Sequence, residues 1–184
     1  NGGKGQGMSY TAPVDEMVFT LETVAGLSAA REAGAAGELT GDDTRAILTE
    51  AARFAETTLA TLNTVGDKEH SRLVDGAVVT PTGWREAYGA WTAGGWGSRT
   101  GEEEFGGQGL PMANQVAAGD LWNQANCAFS LNPLLSVGAG EALQAHGTAA
   151  QKATYLPKLI SGEWAGTMNL TEPHAGSDLG ELKT

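Results

Sequence analysis

Apolar side chains recur every three or four residues along most of this chain, the spacing of helices with one buried face. Met17, Val18, Leu21, Val24 and Ala25 form the first such stripe. Thr11 and Pro13 ahead of it suit a helix start, because a hydroxyl caps free amides and proline fits the first turn. The glycines between Arg31 and Gly41 predict a loop. Asp42 or Asp43 then opens a long helix with Ile47, Leu48, Ala51, Phe54, Ala55, Leu59 and Leu62 on one face, and Gly66 is its expected terminator. Asp67 to Thr80 keeps no period and is expected to be an irregular connection. Thr82 is placed as the cap of a helix carrying Trp84, Tyr88 and Trp91, closed by Gly94 and Gly95.

A short acidic turn at Glu102 to Glu104 leads into glycines, and Pro111 begins another helix with Val116, Ala117, Leu121 and Trp122 partly buried. A further apolar helix is expected from about Asn132 to His146, stopped by Gly147. Thr148 and Gln151 form a capping-box pattern ahead of Tyr155, Leu156 and Leu159, and Ser161-Gly162 ends that helix. The period then changes. Trp164 to Thr171 alternates weakly and reads as a strand, and Glu172 to Thr184 is turn chemistry. The fold class is mainly α: a helical domain followed by a first strand.

A chain of 184 residues can bury a proper core. It has no run of roughly 18 to 20 apolar residues that would span a bilayer, and no charged-then-apolar signal pattern at its start. Residues 1–7, NGGKGQG, read as a tag or disordered tail and are left out of the fold. The lone Cys127 excludes an internal disulfide framework, fits a reducing cytoplasm, and reads as a small buried apolar residue. A net charge of −11 argues against nucleic acid or an anionic membrane as partner. His70, His146 and His174 are not spaced for a metal site with the cysteine, so no metal is assigned.

Two stretches could carry chemistry. Gly106-Gly107-Gln108-Gly109 lacks the lysine of a phosphate loop and reads as a tight turn between helices. Thr171-Glu172-Pro173-His174-Ala175-Gly176-Ser177-Asp178 offers hydroxyls, outward amides and a glycine that permits close approach. Such a turn suits the anionic or polar edge of a cofactor, although on its chemistry alone an ordinary capped surface turn is the simpler reading. Glu172, His174 and Asp178 lie close enough in sequence for an acid–base set, but a turn-stabilising role is the simpler reading. Trp84, Tyr88 and Trp91 read as core packing.

Three segments in this order resemble the acyl-CoA dehydrogenase family: GEEEFGGQGLP at Gly101 to Pro111, AHGTAAQKATYLPKLISGEW at Ala145 to Trp164, and MNLTEPHAGSDLGELKT at Met168 to Thr184. The last is the most specific, since TEPxAGSD after a helical domain is that family's flavin-binding signature. The resemblance covers Met8 to Thr184. Val65-Gly66-Asp67 and Pro81 to Tyr88 are most similar to the longer bacterial branch that includes 3-methylmercaptopropionyl-CoA dehydrogenases.

The resemblance implies an N-terminal helical domain over residues 8–163 and the start of a middle β-domain over 164–184, with a C-terminal helical bundle to follow. It implies FAD between the β-domain and the bundle, an acyl-CoA substrate, an electron-transfer partner and a homo-oligomer. By residue match, Met168, Asn169, Leu170 and Thr171 would run along the flavin, and Gly176 and Ser177 would contact it. Ser177 would also meet the acyl-CoA, and Leu131, Leu134 and Gly138 would line the acyl pocket. The implied reaction is α,β-dehydrogenation of the thioester, with a carboxylate base taking the α-proton and the flavin accepting hydride. Asn169 and His174 depart from the family's usual cysteine and small residue at those positions. The family's catalytic glutamate belongs to the bundle, so no catalytic residue is assigned here. The chain by itself is expected to be inactive, to bind FAD weakly, and to leave the strand at Trp164 to Thr171 disordered or paired with another chain. The competing reading is a non-catalytic helical interaction module free of flavin.

Overall fold

The computed structural model describes residues 10–184. The expected tail at 1–7 and Met8, where the resemblance begins, lie outside the described residues. Helix α1 (Val14–Phe19) continues through a widened π turn at Thr20–Val24, and α2 (Leu27–Glu32) closes the first helical pair. Helix α2 thus takes in Arg31 and Glu32, which the glycine content alone places in a loop. Helix α3 (Gly41–Phe54) begins earlier than the aspartates suggest, because Thr40 is its cap and Asp43 the reciprocal partner in a capping box.

A π turn at Ala55–Leu59 joins α3 without a break to α4 (Ala60–Glu69). Gly66 is therefore not a terminator. Its missing side chain makes room for a tryptophan: a Cβ there would lie 2.4 Å from Cζ2 of Trp84. The supposed irregular connection is an antiparallel hairpin, β1 (Arg72–Val74) against β2 (Ala77–Val79), with Arg72 opposite Val79. Its two-residue loop, Asp75-Gly76, has positive φ at both positions, 50° and 79°. Helix α5 (Trp84–Ala93) is preceded by Gly83 rather than capped by Thr82, whose amide instead donates to Glu69 at 2.8 Å.

The two helices expected on either side of residue 130 are both present within α6 (Met112–His146), but they meet at a kink where Asn126 leaves helical geometry (φ −159°, ψ 86°), earlier than the expected break. Buried Asn126 serves as an internal cap: its Oδ1 accepts from the Phe129 amide at 3.1 Å, and its Nδ2 donates to the Leu59 carbonyl at 3.2 Å. Pro133 lies inside the second half of this helix rather than at the start of a new one. Helix α7 (Ala149–Ser161) carries the expected capping box from Thr148 and Gln151.

The core forms where α6 packs on α3, the π turn after it and α4. Leu48, Ala51, Ala55 and Leu59 share one cluster with Ala118, Leu121 and Phe129, and small side chains on both helices let the axes approach closely. Trp91 belongs to this core and meets Trp122 edge-on, with 5.9 Å between ring centroids, as the packing interpretation of that aromatic set requires. Val116 faces outward, and Cys127 is exposed rather than buried because it follows the bend on the side away from the core. Trp164 to Thr171 is not a regular strand. It has no ladder partner among the described residues, and a strand exists only through one.

Candidate functional site

The site is built from the second half of α6 and the segment that leaves α7. Trp164 is fastened first: its amide donates to the Lys158 carbonyl at 3.0 Å, and its ring lies under the Lys158 ammonium at 4.4 Å. Two residues on, the buried Gly166 amide donates to Ser136 Oγ of α6 at 3.0 Å. Gly166 fits because it lacks a side chain, since a Cβ would sit 2.6 Å from Ala139 Cβ and 2.9 Å from the Leu135 carbonyl. Sequence reasoning passed over this Gly166–Ser136 contact; an Ala-Gly pair after a helix stop was its only signal.

From that anchor residues 167–170 run beside α6 and enclose a groove of about 440 Å³ lined by Leu134, Gly138, Ala142, Met168, Asn169 and Leu170. The predicted cofactor residues Met168, Asn169 and Leu170 are thus brought together with the predicted acyl-pocket residues Leu134 and Gly138. Leu131 lies one helical turn before Leu134, outside the groove, on the same exposed apolar strip. Leu134 and Met168 are 58% and 66% exposed, a large apolar face to leave in water. Asn169 Nδ2 donates to Thr167 Oγ1 at 3.2 Å, while the amides of Met168, Leu170 and Thr171 have no partner among the described residues.

The turn beyond folds on itself. Glu172 and Ala175 exchange backbone hydrogen bonds of 2.9 and 3.1 Å, which buries Ala175. Gly176 comes back toward Thr171, so that a Cβ would stand 4.0 Å from Thr171 Cγ2. Thr171, Gly176 and Ser177 are all exposed on this turn. The Glu172 carboxylate accepts from the Thr184 hydroxyl and from the amides of Lys183 (3.2 Å) and Thr184 (3.0 Å). Those donors hold its carboxyl below the usual range, the Thr184 hydroxyl most of all. His174 Nε2 lies 3.2 Å from Glu172 and 3.1 Å from the Glu181 carbonyl, and Asp178 accepts from the Gly180 amide at 3.0 Å. These three side chains clasp the turn and converge on no common point outside it. Among the described residues no group of metal-ligating side chains occurs, and no helix is long and apolar enough to cross a membrane.

The Glu172 clasp titrates. Its folded pKa is depressed, so its contribution is complete above the ordinary glutamate value of 4.5 and is lost as pH falls through the lower, folded value. Amide exchange at Lys183 and Thr184 should be slow at pH 6 and lose its protection below pH 4.5. Glu172→Gln should flatten that transition, and protection independent of pH in the parent chain would refute the clasp.

Comparison with known proteins shows the class of protein in which such a helical domain occurs. The family described as "Acyl-CoA dehydrogenase, N-terminal domain" matches residues 41–163. The chain is 44% identical over 176 residues to 3-methylmercaptopropionyl-CoA dehydrogenase of Ruegeria pomeroyi, covering 96% of this chain and 30% of that protein. It is 30% identical over 146 residues to butyryl-CoA dehydrogenase of Syntrophomonas wolfei, covering 78% of this chain and 24% of that one. The solved butyryl-CoA dehydrogenase of Megasphaera elsdenii superposes with a TM-score of 0.66 at 25% identity, over 80% of this chain and 36% of that structure. This chain belongs to the acyl-CoA dehydrogenase family. It spans about a third or less of the length of these relatives.

Proposed function

We propose that this chain supplies one wall of the flavin and acyl site of an FAD-dependent acyl-CoA dehydrogenase, acting in the cytoplasm as a homo-oligomer that passes electrons to a protein partner. Residues 8–163 are the N-terminal helical domain, and 164–184 begin the β-domain. The supporting observation is the groove that unites Leu134 and Gly138 with Met168, Asn169 and Leu170. Free main-chain amides at 168, 170 and 171 beside an apolar wall fit a flat ring with a polar edge.

When bound there, FAD supplies the hydride acceptor. Met168, Asn169 and Leu170 shield one face of the ring from water, Thr171 bonds its polar edge, and Gly176 lets the turn approach. Ser177 would contact the cofactor and also meet the acyl-CoA, and Leu131, Leu134 and Gly138 would line the acyl pocket. Glu172 is committed to the clasp, so proton abstraction is assigned to no residue of this chain.

The decisive experiment is FAD titration and dye-linked assay of the intact gene product against a panel of acyl-CoA thioesters. The first to test is 3-methylmercaptopropionyl-CoA, which the Ruegeria relative's name specifies. Stoichiometric flavin and thioester-dependent dye reduction are expected, with the 184-residue chain alone inactive and binding FAD weakly. A colourless gene product indifferent to added FAD would leave only the helical interaction module.

A further inference from the structure

A second groove, of about 520 Å³, lies between α3 and the loop after α5, and Ile47, Glu50, Arg53, Trp96, Arg99 and Leu110 line it. Arg99 is only 1% exposed. None of the ion pairs among the described residues includes it. Its guanidinium carbon stands 4.4 Å from the ring centroid of Trp122 and 5.5 Å from that of Trp96. Nε donates to the Trp96 carbonyl at 3.1 Å and Nη2 donates to Gln115 Oε1, while Nη1 has no hydrogen-bond partner among the described residues.

A buried cation without a counter-ion is costly, and two indole faces offset only part of that cost. Burial pushes the Arg99 pKa down to about 9, which still leaves the group charged at neutral pH. At the rim Arg53 is paired with Glu50 at 2.6 Å. The groove therefore sets two arginines against one acid in a chain whose net charge is −11, a local reversal of sign. A planar anion is the chemical complement of such a guanidinium. Ile47 and Leu110 add apolar wall beside it.

We propose that this groove binds a small aliphatic carboxylate, drawn to the Arg99 guanidinium that lines it, with its short chain laid against Ile47 and Leu110. The planar guanidinium edge matches a carboxylate, and an apolar wall rewards a chain that a bare inorganic ion lacks. The site is separate from the flavin groove and does not depend on the flavin reading.

Trp96 and Trp122 flank the guanidinium, so intrinsic tryptophan fluorescence of the 184-residue chain reports occupancy. Sodium butyrate is expected to give a saturable change, and sodium chloride at matched ionic strength none. Sodium acetate should need a several-fold higher concentration, because it lacks the chain. Arg99→Gln should abolish the response. Arg53→Ala, on the exposed rim, should weaken it several-fold in a chain that still folds, and so decides the matter if the first variant does not fold. A chloride response equal to that of butyrate, or a butyrate response unchanged in Arg53→Ala, overturns the site.

Discussion

Replacing Gly107 by alanine is expected to lower the melting temperature by about 6 to 12 °C. A Cβ on Gly107 would fall 1.8 Å from the Gly101 carbonyl oxygen and 2.0 Å from its carbon, both backbone atoms with no rotamer to escape into. Residues 101 and 107 would have to part by more than 1 Å. The loop is laced across that gap by Gln108 N to Ser98 O (2.8 Å), Gly109 N to Gly101 O (3.0 Å) and Leu110 N to Arg99 O (2.7 Å). Losing two or three such bonds costs about 3 kcal/mol, or about 2 to 4 °C per kcal/mol in a chain of this size. Gly106→Ala is the control. Gly106 has φ +86° but open space around its missing Cβ, so it should cost only the left-handed strain of about 1 to 2 kcal/mol. Thermal unfolding of both variants checks this, and a Gly107→Ala midpoint within 2 °C of the parent would show that the loop is not packed as described.

The same comparison explains what could be read from the chain in advance. Segments whose determinants are local were legible: the capping box at Thr148 and Gln151, the stripe from Leu48 to Leu59, and the helix stop at Ser161-Gly162. The tight turn expected at Gly106 to Gly109 is met only at Gly106, which closes the short helical turn Glu103–Phe105, while Gln108 and Gly109 bond back to Ser98 and Gly101. Features set by distant partners were not legible. Gly66 looks like a terminator until Trp84 is seen packed against it. Asn126 looks like a polar residue in an apolar helix until the Leu59 carbonyl is found beside its amide. The hairpin at Arg72 to Val79 has strands of only three residues, exposed on both faces, so it carries no alternation; Asp75-Gly76 was its one local signal.

The candidate site divides along the same line. TEPHAGSD stands out in sequence because proline, glycine and hydroxyls crowd into eight residues, and the clasp by Glu172 follows from a carboxylate among free amides. That Met168 to Leu170 lie along Leu134 and Gly138 is a matter of tertiary docking, some thirty residues apart, and nothing in the sequence set the two groups side by side. Arg99 shows the limit most clearly. In sequence it is one arginine in a polar loop, and only burial against two tryptophans makes it an unanswered charge.

Docking through Gly166 leads to the second large effect, which falls on cofactor retention rather than on global stability. Valine at 166 would press against Ala139 Cβ at 2.6 Å, the Leu135 carbonyl at 2.9 Å and Ser136 Cα at 3.0 Å. Something must move. Helix α6 is held along its length by α3, α4 and α7, whereas residues 166–171 are held by one hydrogen bond to Ser136, so the segment yields and the helix does not. Only that bond and little apolar area are lost, about 1 kcal/mol, and melting should drop by no more than about 4 °C. Local opening is another matter, because the groove's second wall is the segment that leaves. Chymotryptic cleavage at Met168 to Leu170 in the 184-residue chain should accelerate more than tenfold, and the intact gene product carrying Gly166→Val should retain less than a tenth of its FAD while its helical content is unchanged. Ser136→Ala removes the acceptor without the clash and should give a milder form of both results. If Gly166→Val instead keeps flavin and resists protease like the parent, the segment is not what closes the groove and the proposed flavin wall falls with it.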